Sequence, residues 1–159
     1  MTKMEFSVSQ IFIEEIETKI KIFLLVLFFI LNFLIILPIF GFGDIINFFV
    51  YKLFSFVCHQ SDSLSFWING SKLAVCSRCT GIYQAFFISS VLFYFKNIKF
   101  QKTYFIKILV ISIIVFIFTK IAPFFANLSL LNLLRWLSGV LIGIIFSYSI
   151  YGNGGKSGK

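Results

Sequence analysis

Apolar runs long enough to cross a lipid bilayer, separated by short charged strips, constrain this chain more than any motif in it. Ile22 to Phe40 and Leu128 to Tyr151 each hold about twenty residues or more, the length that spans a ~30 Å hydrocarbon core at ~1.5 Å per helical residue. Phe105 to Ile121 is a third such run. Thr80 to Phe95 is a fourth, and it gains the needed length if its helix begins near Ser77. A soluble domain of 159 residues does not carry 59% hydrophobic and only 13% charged residues. The expected fold is therefore all-α, an integral membrane four-helix bundle. The 24 phenylalanines read as lipid-facing filler rather than as a cofactor box. A cleaved signal peptide would also begin with an apolar run. The first run exceeds the usual length of such a core, however, and ends in Leu37-Pro38-Ile39-Phe40 without a small-x-small cleavage pattern.

The segments between the runs have their own patterns. Residues 5 to 20 mix Glu5, Glu14, Glu15, Glu17 and Lys19 with Phe12, Ile13, Ile16 and Ile20, the spacing of an amphipathic helix on the membrane surface. Asp44 is the expected N-cap of a helix over Ile45 to Val57, which is too short to span. Asn47, Tyr51 and Ser55, with Lys52 beside them, draw a polar stripe along it, as suits an amphipathic helix lying in the interface. Gln60 to Lys72 is polar, and Asn69-Gly70 marks a turn or small hairpin. Pro123 breaks the third span. The organisation expected is an amphipathic N-terminal segment over 1–21, a four-span membrane domain over 22–151 with a Cys/His-containing extramembrane loop at 58–79, and a flexible tail over 152–159.

The formal charge of +8 does not imply nucleic acid, because the cations form no basic helix with interleaved stacking aromatics. Besides the bilayer itself, anionic lipid headgroups are the expected partner. Lys96, Lys99, Lys102 and Lys107 form the densest strip, and lysines beside spans accumulate on the cytoplasmic face. That rule predicts a cytoplasmic (inner) membrane protein with both termini inside. The connections carrying Lys52, Lys72, Arg78 and Lys120, and with them the Cys/His loop, then fall outside.

All three cysteines and the only histidine lie in that loop, as Cys58-His59 and Cys76-Ser77-Arg78-Cys79. Three soft sulfurs and an imidazole are the donor set of a tetrahedral zinc or similar transition-metal site, and a two-residue gap lets Cys76 and Cys79 reach one ion. A helix N-terminus at Cys76 and Cys79, with Arg78 between them, would favour thiolates. Adjacent Cys58 and His59 ligate one ion only in a suitable backbone conformation, so His59 is either a ligand or a supporting donor. In the latter case Asp62, Asp44 or water completes the set. A Cys76–Cys79 disulfide with Cys58 unpaired is an alternative open to an extracytoplasmic loop. So is a set of buried cysteines with no chemistry.

Cys58-His59-Gln60, Ser65-Phe66, Gly70 and Val75-Cys76-Ser77-Arg78-Cys79-Thr80-Gly81-Ile82-Tyr83 resemble the bacterial membrane-protein family catalogued as domain of unknown function 2085. Asn132-x-x-Arg135-x-x-x-Gly139 is similar to that family's C-terminal pattern, so the resemblance extends over residues 22 to 150. Leu64 stands where members usually have arginine, and the usual Asp-Gly is missing around Phe124 to Ser129. The resemblance implies membrane residence and the cysteine motif but no activity.

Arg135 lies one to two turns into the last span, where an ionisable group is costly unless it snorkels or finds a partner. The expected topology puts it on the side of the cysteine loop, available with Arg78 to balance thiolate charge. Arg135, Gly139, Gly143 and Ser147 share one helical face, and the small residues suit close packing against Gly81, Ala85 and Ser89. The leading reading is a small multi-pass membrane protein with a structural metal site at its outer face. No catalytic residues are assigned. The alternatives are a membrane thiol-disulfide oxidoreductase using Cys76 and Cys79, and a metal-handling or transport protein. The spans offer no row of acidic or histidine residues to form a pathway for the last.

Overall fold

The computed structural model describes residues 3–96, 102–121 and 128–151, with side chains for 15–96, 106–119 and 129–151. The tail expected over 152–159, the break expected at Pro123 and Lys99 of the lysine strip lie outside the described residues. Five helices account for nearly all the rest: α1 (Lys3–Ile36), α2 (Asp44–Ser55), α3 (Ser77–Lys96), α4 (Lys102–Ile121) and α5 (Leu128–Tyr151). A two-stranded antiparallel hairpin, β1 (Trp67–Ile68) and β2 (Ser71–Lys72), lies between α2 and α3.

α1 corrects one expectation. No break separates the amphipathic segment from the first apolar run, because no Gly or Pro interrupts residues 3–36 and a helix once nucleated propagates. Ion pairs Glu15–Lys19 (2.8 Å) and Glu17–Lys21 (3.5 Å), each joining residues one turn apart, lie along its N-terminal half. It ends in a 3-10 turn, Leu37–Phe40, which Gly41 closes with a left-handed φ of 65°. A second correction concerns α2. Its N-cap is Gly43, and Asp44 is the first helical residue, where its charge faces the positive helix end without capping it.

α1, α3, α4 and α5 run alternately in opposite directions, with α3 packed between α1 and α5, and α4 against α5. α3 and α5 run parallel and nearly touch backbone to backbone. A Cβ on Gly81 would collide with the Trp136 carbonyl, one on Gly139 with the Arg78 carbonyl, and one on Gly143 would sit 2.6 Å from the Ile82 carbonyl. The expected glycine face is thus the tightest seam of the bundle, and a Ser90–Ser147 hydrogen bond of 2.9 Å closes its far end. On the other side of α3, Phe28 stacks on Phe86 with ring centroids 4.0 Å apart. Asn32 Nδ2 donates to the Tyr83 carbonyl (3.0 Å), and Tyr151 Oη donates to the Lys21 carbonyl (2.7 Å).

Outward faces are apolar. Phe23, Phe29 and Phe33 on α1, Ile113, Ile114 and Ile117 on α4, and Phe146 on α5 are all exposed, a surface that a soluble monomer does not present. Among the described residues, two helical stretches, Glu15–Phe40 and Ser129–Tyr151, are long and apolar enough to cross a membrane, and Ile106–Thr119 is a shorter apolar stretch.

Over one end of the bundle sits a small core of Ile35, Val50, Phe54, Cys58, Leu73, Ala74 and Val75. α2 contributes Val50 and Phe54 to it and leaves Phe48, Phe49 and Phe56 exposed on the opposite face. Its polar stripe turns inward at Tyr51, whose hydroxyl donates to the Lys72 carbonyl (2.5 Å) on the hairpin. The turn at Asn69 (φ 51°) and Gly70 (φ 78°) is the left-handed pair that a two-residue hairpin requires, and Asn-Gly tolerates it best.

Candidate metal centre

The three cysteines arrive from two directions. Cys58 follows α2, where its N–H still donates to the Phe54 carbonyl (2.9 Å). Cys76 precedes α3, its carbonyl accepting the first helical bond from Thr80 N–H (2.9 Å), and Cys79 lies in the first turn. Their Sγ atoms all lie within 4.8 Å of one another, and none is in a disulfide. Cys58 is buried, and Cys76 and Cys79 are half-buried.

Gln60 fixes this approach. Its backbone adopts a left-handed φ of 51°, and its Nε2 donates to the carbonyls of both Tyr51 and Ala74 at 2.8 Å, pinning α2 to the segment that leads into Cys76. The Ala74 N–H in turn caps the Ile35 carbonyl at the end of α1 (3.2 Å). Ser77 Oγ donates to the Leu64 carbonyl (2.9 Å), and Asn132 Nδ2 of α5 to the Ser63 carbonyl (3.2 Å). The loop is therefore tied to α1, α2, α3 and α5 together.

Electrostatics single out Cys58. Hydrogen bonds from the Cys76 and Cys79 thiols, then from the backbone N–H groups of Cys76 and Gln60, hold its thiol well below the usual range despite burial. Cys76, the first of those donors, is pushed up correspondingly, because giving up its proton would forfeit the bond to Cys58. N–H groups aimed at sulfur stabilise a thiolate whether it serves as a nucleophile or as a metal ligand.

Four of the residues singled out from the sequence take other places. His59 is exposed, and its ring nitrogens do not join the three sulfurs; burying Cys58 against α3 turns its neighbour outward. Asp62 is tied to Lys72, whose ammonium also donates to the Gln60 carbonyl (3.0 Å). Asp44 opens α2 and is exposed. Arg78 does not lie between the sulfurs. Its Nη2 donates to Thr119 Oγ1 (2.9 Å) and its Nε to Ser138 Oγ (3.3 Å), and its guanidinium lies 4.5 Å from the Phe116 ring centre. Arg78 thus joins α3 to α4 and α5.

Arg135 is half-buried on α5, within electrostatic range of Arg78 and Cys76, and its Nη1 is buried without a hydrogen-bond partner. Asn132, one turn earlier, likewise keeps a buried, unpartnered Oδ1. Sequence reasoning missed Gln60, whose role depends on a left-handed backbone, and Thr119 and Ser138, whose hydroxyls acquire meaning only once Arg78 reaches them.

Residues 58–149, more than half of the chain, match the family described as "Predicted membrane protein (DUF2085)". The match opens at Cys58 and takes in the whole cysteine set, α3, α4 and nearly all of α5. An uncharacterised protein of Methanocaldococcus jannaschii is 38% identical over 55 residues, which is 35% of each chain, so the matched part spans about a third of that relative. That relative is archaeal, so the resemblance is not confined to bacteria. No solved structure matches the chain. By the extent of the family match, this chain belongs to the DUF2085 family of predicted membrane proteins.

Proposed function

We propose that this protein is a small four-span component of the cytoplasmic membrane whose Cys58, Cys76 and Cys79 hold a structural metal ion at the extracytoplasmic end of the bundle. The observation that carries the reading is the convergence of three sulfurs within 4.8 Å from segments on either side of a polar hairpin. A shared ion would clasp the end of α2 to the start of α3, where the local core is small and the loop is polar. Zinc is the expected ion; the thiolate donors alone favour a soft or borderline metal over magnesium or calcium. The alternating directions of α1, α3, α4 and α5 support four passes, and the lysines between α3 and α4 favour placing the cysteine end outside. The exposed phenylalanines of α2 suit a helix seated in the headgroup layer. Metal per chain, measured together with reactive thiols on detergent-purified protein, tests the reading.

One observation favours a second reading. A stabilised Cys58 thiolate beside two further thiols is also the arrangement of a thiol-disulfide exchanger, with Cys58 attacking and Cys76 or Cys79 resolving. In that case the same preparation contains no metal, and a Cys76–Cys79 or Cys58-containing disulfide appears after mild oxidation.

A further inference from the structure

A cavity of about 460 Å³ opens beside the hairpin, within the ~300–1,000 Å³ range of small-molecule sites. Pro38 of the turn after α1, Asn47 and Tyr51 of α2, and Asp62, Trp67 and Lys72 of the loop line it. None of the three cysteines does, so the cavity is separate from the candidate metal centre.

Asp62 and Lys72 are the charged residues of the lining, one of each sign. Lys72 gives two of its three ammonium donors to Asp62 and to the Gln60 carbonyl, and its Nζ lies 5.4 Å from the Tyr51 ring centre. The third donor is left for an anionic group. Asp62 accepts from Lys72 through Oδ1, and its side chain is largely exposed, so the second carboxylate oxygen can receive a cation. Asn47 keeps a buried Oδ1 with no partner among the described residues, an acceptor that costs free energy until a donor reaches it. A ligand that matches this wall is neutral overall. It has a negative end for Lys72 and a positive, N–H-bearing end for Asp62 and Asn47.

The place of the cavity says where such a ligand comes from. α2 walls it with Asn47 and Tyr51, while Phe48 and Phe49 of the same helix, and Phe40 and Phe42 just before it, are exposed. Trp67, an exposed part of the lining, is of the residue type that gathers at headgroup level. With α2 seated in that layer, the cavity lies at the depth of lipid headgroups. We infer that it binds the headgroup of a phosphoethanolamine lipid, with the phosphate towards Lys72 and the ammonium towards Asp62 and Asn47. A choline headgroup has no N–H for Asn47, and an anionic glycerol headgroup brings a charge that the paired lining does not balance. A metal at the cysteines is not required; only the seat of α2 is taken from the reading above.

Native mass spectrometry in detergent tests this. Delipidated protein offered equimolar dioleoyl phosphatidylethanolamine, phosphatidylcholine and phosphatidylglycerol should retain one phosphatidylethanolamine per chain. The preference should be about tenfold or more, the size expected for one charged hydrogen bond. Asn47→Leu and Asp62→Asn should each remove most of it, whereas Asn47→Asp, which keeps an acceptor, should retain it. Lys96→Gln, at the other end of α3, should leave it unchanged, which separates the cavity from lipid held around the bundle. Equal retention of phosphatidylcholine by the wild type would overturn the inference, as would full preference in both Asn47→Leu and Asp62→Asn. Water-soluble glycerophosphoethanolamine should displace the lipid only at far higher concentration, and displacement at equal concentration would overturn the assignment to a membrane lipid. Metal content measured on the same preparation tests the metal reading separately.

Discussion

The backbone N–H of Cys76 donates to Cys58 Sγ across 3.2 Å, joining two residues 18 apart in the chain and setting the sulfur that ends α2 against the N-terminus of α3. The neighbouring thiols and this bond lower the Cys58 thiol well below its usual range, while the Cys76 thiol, donor to Cys58, is raised. Loading a divalent ion therefore displaces protons from Cys76 and Cys79 but not from Cys58. Metal binding near pH 7 is expected to release roughly two protons per ion rather than three, measured by calorimetry in buffers of different ionisation enthalpy. The depressed group is the anionic one, so release should approach three only as pH falls through the Cys58 pKa. A value of three at pH 7 would contradict the assignment.

Gly139 lies against the Arg78 carbonyl with no room for a Cβ. Both neighbours are helical backbone and neither can rotate away, so Gly139→Ala has to push α3 and α5 apart. A loss of about 1–3 kcal/mol is expected, seen as a lower melting temperature in detergent. Gly143→Ala, which meets the Ile82 carbonyl and the Ala85 side chain, should act in the same direction. An unchanged melt for Gly139→Ala would mean that this seam is not what holds the bundle together.

Thr119 Oγ1 is fully buried and accepts from Arg78 Nη2. Thr119→Val preserves shape and removes the acceptor, leaving a guanidinium donor unsatisfied between helices. A cost of about 1.5–3 kcal/mol is expected in thermal or denaturant unfolding. Ser138→Ala should cost less, since its bond to Arg78 is longer at 3.3 Å.

The limits of α5 at Leu128 and Tyr151, the start of α3 at Ser77, the hairpin turn at Asn69-Gly70 and the glycine seam were all legible in the sequence, because local signals set them. Apolar run length, turn chemistry and small residues at four-residue spacing each act over a few positions. The continuity of α1 was less legible, since a shift from amphipathic to uniformly apolar looks like a boundary although nothing in it stops a helix. Arg78 was misjudged by counting neighbours in sequence. On a helix it shares a face with Gly81, Ile82 and Ala85, the face that meets α5, and so points away from Cys79. The place of His59 depended on the burial of Cys58, which turns its neighbour outward and which no residue pattern announces.

Orientation has its own test. With the cysteine end outside, Cys76 and Cys79 in metal-depleted intact cells should react with a membrane-impermeant maleimide, and a cysteine placed at Lys96 should react only after lysis. The reverse pattern would place the cysteine end in the cytoplasm.

The central claim is that Cys58, Cys76 and Cys79 hold one metal ion. Protein purified in mild detergent without chelators, assayed for metal by mass spectrometry and for thiols under denaturing conditions, should contain one thiophilic ion and three thiols per chain. Cys79→Ser should lose the ion. A metal-free wild-type protein with a reducible Cys76–Cys79 bond would contradict the account and favour thiol-disulfide exchange.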